Sequence, residues 1–196
     1  KAPETEGVDA RPVETVGVLG AGTMGAGIAI ACAASGFTVK LFDANTDALN
    51  TGLQRVAKTF SRDAEKGRMP IADAETATAR VIPVDSIEAM NDADLFIEAI
   101  IEKMDVKKTV FTALDAIAKP DAVLASNTSY LNIDEIASAT KRPENVVGMH
   151  FFSPANIMRL LEIVKAEKAS PETLATVFAV GAKLGKINVF SGVCDG

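Results

Sequence analysis

The sequence has 196 residues, of which 48% are hydrophobic and 23% charged, and a formal net charge of −6. That length and apolar content can bury a core without staples and exclude a disordered chain, while the acidic balance argues against nucleic acid and anionic membrane as partners. No apolar run reaches the ~18 residues needed to span a bilayer. The two cysteines, Cys32 and Cys194, make neither a disulfide framework nor a metal cluster, so no metal and a reducing compartment are expected.

Residues 1–14, KAPETEGVDARPVE, are polar and carry two prolines. They read as a linker from a preceding domain and not as a secretion signal. From residue 15 to 196 short β-branched runs alternate with helical patterns. Strands are predicted at 15–20, 38–42, 80–84, 94–99, 122–126, 145–150, 160–165 and 186–191. Helices are predicted at 23–35, 46–66, 73–79, 104–118, 133–139 and 171–184. Asn45 or Thr46 and Ser170 with Pro171 mark helix starts, and Gly185 a helix end. The alternation predicts an α/β fold, a Rossmann-type doubly wound sheet that is mostly parallel. The short return after Gly185 suits an antiparallel neighbour, so the last one or two strands are expected to be antiparallel.

The first strand–helix turn reads VGVLGAGTMGAG and contains Gly20, Gly22 and Gly25 in a G-x-G-x-x-G pattern, with Thr23 and Met24 inside it. Gly20 would make the tight turn, Gly22 let a pyrophosphate approach the backbone, and Gly25 let helix and strand pack closely. The helix N-terminus offers unpaired N–H groups to phosphate. Asp43 closes the next strand and can accept from both ribose hydroxyls. It would repel a 2′-phosphate, and no arginine follows it in FDANTDA, which favours NAD over NADP.

Ligands of open α/β sheets sit at the carboxyl ends of the strands. Three successive strand ends deliver polar residues there: Glu102 and Lys107, then Asn127, Thr128 and Ser129, then His150. Taken singly, each has a plainer reading: a solvated helix start, a capping hydroxyl, a histidine closing a strand. Their convergence makes His150, the only histidine, a candidate base, because a neutral imidazole can take a proton near pH 7. Glu162 lies twelve residues on, between Leu161 and Ile163, where strand alternation could equally send it to solvent.

Together, GAGTMGAGIA, IEAIIEKMDVKKTVF, ASNTS and GMHFFSPANIMRLLEIV resemble the NAD-binding domain of L-3-hydroxyacyl-CoA dehydrogenases, from about Val13 to Gly196. The HFFSPA form and the linker-like start resemble the multifunctional β-oxidation enzymes, where an enoyl-CoA hydratase domain precedes this one. The resemblance implies oxidation of an L-3-hydroxyacyl-CoA, with His150 as catalytic base, Glu162 orienting it and Ser129 contacting substrate and nicotinamide. It implies Asp43 at the adenosine ribose, Glu102 and Lys107 near the nicotinamide ribose, and Met24 over the cofactor. Ser153 stands where many relatives have Asn beside the nicotinamide. Thr59 and Lys66 fall where relatives contact CoA, with Lys58, Arg62 and Arg68 close by as alternatives. The family continues past its last strand with G-F-x-x-N-R and a helical domain; Gly196 matches the first letter of that motif, so a following helical domain is expected to be missing. A bacterial cytoplasmic or peroxisomal location follows from the same resemblance. Rival readings are an NAD-binding domain inactive by itself, and a β-hydroxyacid dehydrogenase of another type, whose G-x-x-G-x-G-x-x-x-K pattern does not occur here.

Overall fold

A computed structural model describes residues 2–192. Cys194 and Gly196 lie outside them. The elements alternate as predicted: β1 (Thr15–Leu19), α1 (Thr23–Ala34), β2 (Thr38–Phe42), α2 (Thr46–Glu65), α3 (Ile71–Ala79) and β3 (Val81–Val84) form the first half. β4 (Leu95–Glu98), α4 (Met104–Ile117), β5 (Val123–Ser126), α5 (Ile133–Ala137), β6 (Val146–Phe151), β7 (Leu160–Lys165), α6 (Pro171–Lys183) and β8 (Ile187–Gly192) complete it. The helix starts follow the capping chemistry. Asn45 accepts from Ala48 N–H and Ser170 from Thr173 N–H, and Pro171 opens α6.

The eight strands form one sheet in the order β3-β2-β1-β4-β5-β6-β7-β8. Strands β1 to β6 are parallel, β7 is antiparallel to β6, and β8 is parallel to β7. The doubly wound, mostly parallel expectation holds, and the last two strands oppose the first six. One detail is corrected: β8 is parallel to its neighbour. The short turn at Gly185 is only the end of a crossover, whose length is supplied by α6 itself. The reversal occurs earlier, where residues 152–159 turn β6 back into β7. Pro83 sits in β3, an edge strand, where a missing N–H is tolerated.

The core runs the length of the sheet. Strands β4 and β5 are buried at every position, as a sheet covered on both faces requires. Helix α1 is buried continuously from Gly25 to Ala33. Its small residues bring it close to the sheet: a Cβ on Gly25 would lie 1.7 Å from Gly20 O. The stretch expected as a linker lies against the domain. Arg11 N–H donates to Thr176 Oγ1 (2.9 Å), its guanidinium to Asn145 Oδ1 (3.2 Å), and Lys165 pairs with Glu4 (2.9 Å). No helix among the described residues is long and apolar enough to cross a membrane.

Candidate active site

The strand order reverses between β1 and β4, and the crevice outside their carboxyl ends is the expected ligand site. Three adjoining cavities run along that edge. One of about 700 Å³ lies over Pro83, Val84 and Asp43. It shares Phe42, Asp43 and Ala44 with a second, of about 430 Å³, at Gly20, Gly22 and Ile101. That one shares Ala99 and Ile100 with a third, of about 330 Å³, at Met24, Ser129, His150 and Ser153. The three cavities adjoin in series, with the one at the glycine loop in the middle.

The loop is built by backbone constraints. Gly20 has φ +102°, in the left-handed region, and a Cβ there would sit 2.5 Å from Ala99 O. A Cβ on Gly22 would meet nothing, so the space before the α1 N-terminus is open to a ligand. Thr23 begins α1, and its hydroxyl accepts from the Arg55 guanidinium (2.7 Å). Asp43 has a role beyond the ribose contact expected from sequence. Its Oδ2 accepts from Ala21 N–H and its Oδ1 from Asn45 N–H, each at 2.8 Å, so it fixes the glycine loop and the entry to α2. Each oxygen retains a lone pair for a ribose hydroxyl.

His150 and Glu162 face each other across the β6–β7 ladder. His150 Nδ1 lies 3.6 Å from Glu162 Oε1, and the imidazole packs against Phe152 with ring centroids 4.5 Å apart. Lys186 Nζ donates to Ala155 O and Met158 O, both at 2.6 Å, bracing the loop that joins the two strands and carries Ser153. Burial pushes the Lys186 ammonium below its usual range. Ser129 and Ser153 line the His150 cavity and are exposed.

Glu102 and Lys107 also border this cavity. Lys107 is not a solvated helix residue: it is fully buried, 2.5 Å from Glu98 and 3.0 Å from Glu102. Glu98 is fully buried as well and accepts from Ser126 Oγ (2.6 Å) and Ile100 N–H (2.8 Å). Glu102 accepts from Thr128 Oγ1 (2.9 Å) and weakly from Ser129 N–H (3.4 Å). A chain of charge-assisted bonds thus runs from the sheet interior to the Ser129 loop. Sequence reasoning missed Glu98. Its signal was a carboxylate closing an apolar strand nine residues before a lysine.

Thr59 and Lys66 are not brought to this cavity. Both belong to the α2 region, where Thr59 Oγ1 donates to Arg55 O (2.8 Å) and Lys66 ends the helix in solvent. An apolar groove of about 530 Å³ between α2 and α3 runs past Ala57, Ala64 and Ile71, away from the three cavities. No cluster of three or more metal-ligating side chains occurs among the described residues.

Residues 15–193 match the family model described as 3-hydroxyacyl-CoA dehydrogenase, NAD binding domain. A peroxisomal bifunctional enzyme of Cavia porcellus is 41% identical over 187 residues, covering 95% of this chain and 26% of that protein. A probable 3-hydroxybutyryl-CoA dehydrogenase of Bacillus subtilis is 41% identical over 184 residues, covering 92% of this chain and 64% of that protein. The crystal structure of 3-hydroxybutyryl-CoA dehydrogenase from Escherichia coli superposes with a TM-score of 0.91 at 36% identity, covering 93% of this chain and 39% of that one. The chain therefore spans between about a quarter and about two thirds of these relatives' own lengths.

Proposed function

The chain belongs to the family of 3-hydroxyacyl-CoA dehydrogenase NAD-binding domains, and from that membership we propose that it oxidises an L-3-hydroxyacyl-CoA to the 3-ketoacyl-CoA, with His150 as the base. The observation that carries this reading is the cross-strand opposition of His150 and Glu162 in a cavity shared with Ser129 and continuous with the glycine-loop crevice. NAD, when bound, supplies the acceptor for the hydride leaving C3. The residues to hold it are Gly20, Gly22, Thr23, Met24 and Gly25 at the pyrophosphate, Asp43 at the adenosine ribose, and Glu102, Lys107, Ser129 and Ser153 around the nicotinamide. The open space before Gly22 and the free α1 N-terminus fit a pyrophosphate.

His150 Nε2 takes the C3 hydroxyl proton as the C–H bond breaks, and returns it in the reductive direction. Glu162 faces Nδ1, so it selects the tautomer with Nε2 free and stabilises the imidazolium. The 3.6 Å separation is compatible with this pairing, since catalytic contacts are commonly long outside the substrate complex. Ser129 Oγ donates to the substrate oxygen. Thr59 and Lys66 are assigned to the CoA moiety from the family resemblance alone.

This domain works within a longer protein on this reading. Leu160, Ile187 and Val189 are exposed apolar residues on adjoining strands beside Glu162, a surface suited to a further helical domain. A relative named peroxisomal and another from Bacillus subtilis support a peroxisomal or bacterial cytoplasmic location for this chain.

The test is NADH oxidation driven by acetoacetyl-CoA, followed by absorbance, with NADPH in parallel. Turnover with NADH and little with NADPH is the expected result. NADH bound without turnover, in a chain extended to the length of its relatives, would overturn the catalytic reading.

A further inference from the structure

Strand β6 outruns its parallel neighbour. The β5–β6 pairing runs Leu124↔Val146, Ala125↔Val147 and Ser126↔Gly148 and stops there, while β6 continues to Phe151. Its other edge stays paired with β7 as far as Phe151↔Leu161. Beyond Gly148, the edge of β6 facing β5 would present unpaired backbone groups, which a half-buried strand end does not tolerate cheaply. One side chain answers that need. Asn127, the first residue after β5, accepts the Phe151 N–H at its Oδ1 (2.8 Å). Its own N–H donates to Glu98 O (2.8 Å), so a single residue ties the end of β4 to the end of β6.

The tie falls on the peptide unit that joins His150 to Phe151, directly beside the imidazole. Asn127 also borders the cavity that holds His150 and Ser129. An aspartate could accept the same N–H, but it would add a negative charge to a cavity that Glu102 already borders. The amide supplies the acceptor without the charge. Asn127 is one of the strand-end polar residues that the cofactor and substrate assignments leave without a task.

We propose that Asn127 is a positioning residue for the base: by holding the Phe151 N–H, it sets the His150 ring against Glu162. This rests on His150 being the base. Misplacement by an ångström or less is enough to cost a large factor in rate.

The only histidine in the chain gives one unambiguous imidazole signal, so ¹⁵N spectra report its tautomer directly. Spectra are recorded on this chain, and turnover of acetoacetyl-CoA with NADH on a chain of the relatives' length. Asn127→Ala should mix the tautomers and lower kcat about tenfold or more, with NADH affinity unchanged within about twofold. Asn127→Ser, whose oxygen is too short to span to Phe151, replaces the alanine variant if that one does not fold. Wild-type spectra and kcat in the alanine or serine variant would overturn the proposal. Full turnover in His150→Asn would instead remove the base assignment, an outcome separable from these because it leaves the Asn127 spectra to be judged alone.

Discussion

His150 and Glu162 are cross-strand partners on antiparallel neighbours, with Nδ1 3.6 Å from Oε1. The reversal from β6 to β7 is what makes this possible, since it returns the chain beside the strand it has just left. A base held by an oriented carboxylate contributes typically ~10²–10⁴ in rate. His150→Asn should therefore lower kcat by about that factor while NADH titration stays near wild type. Glu162→Gln should lower kcat less, because the amide oxygen still accepts from Nδ1–H but carries no charge to stabilise the imidazolium. Wild-type kcat in that variant would detach Glu162 from the base.

Asp43 is expected to act on the glycine loop as much as on the ribose. Asp43→Ala removes the acceptor of two backbone N–H groups, at Ala21 and Asn45. Hydrogen bonds to a charged group contribute about 1.5–3 kcal/mol, so NADH affinity should fall about 10- to 100-fold. The preference over NADPH should narrow at the same time. The chain has no tryptophan, so bound NADH fluorescence can be followed without a protein donor of that kind. Unchanged affinity would mean that the loop holds its shape without Asp43.

The glycine loop, Asp43 and the strand-end positions were legible because each is a local rule: a turn, a helix start, a period of two. The pairing of His150 with Glu162 entered only through resemblance, since alternation alone leaves Glu162 free to face solvent. The direction of β8 was misjudged relative to β7, because the turn length was weighed without the helix before it. Glu98 was missed for a different reason. A carboxylate inside an apolar strand becomes explicable only when the fold brings Lys107 and Ser126 to it from two other elements.

The Glu98–Lys107 pair has side chains 0% and 1% exposed. Removing one member of such a pair strands the other charge in the interior and costs about 3–5 kcal/mol. Lys107→Met should lower urea stability by about that amount, and Glu98→Gln combined with Lys107→Met should recover part of it. A single-variant loss below about 1 kcal/mol would show that water reaches the pair.

At the opposite end of the sheet, Asp94 ties the start of β1 to the segment before β5. It accepts from Glu14 N–H (2.8 Å) and Thr15 N–H (3.0 Å) and pairs with Lys119. Burial alone would push the Asp94 carboxyl up, but the hydrogen bonds from Lys119, Thr15 and Glu14 outweigh it and hold the group below the usual carboxylate range. The hydrogen bond to Asp94 holds Lys119 above the usual ammonium range against its own desolvation. The depressed carboxyl contributes stability in full above its unfolded value of about 3.9, and the contribution disappears as pH falls through the lower folded value. The raised ammonium contributes in full below about 10.4 and loses that contribution as pH rises through its folded value. The stability difference between wild type and Asp94→Asn should therefore be flat from about pH 5 to 9 and shrink towards both extremes. Denaturant melts at acidic, neutral and alkaline pH read this directly. A difference as large in strong acid as at neutrality would mean that Asp94 acts through its shape and not its charge.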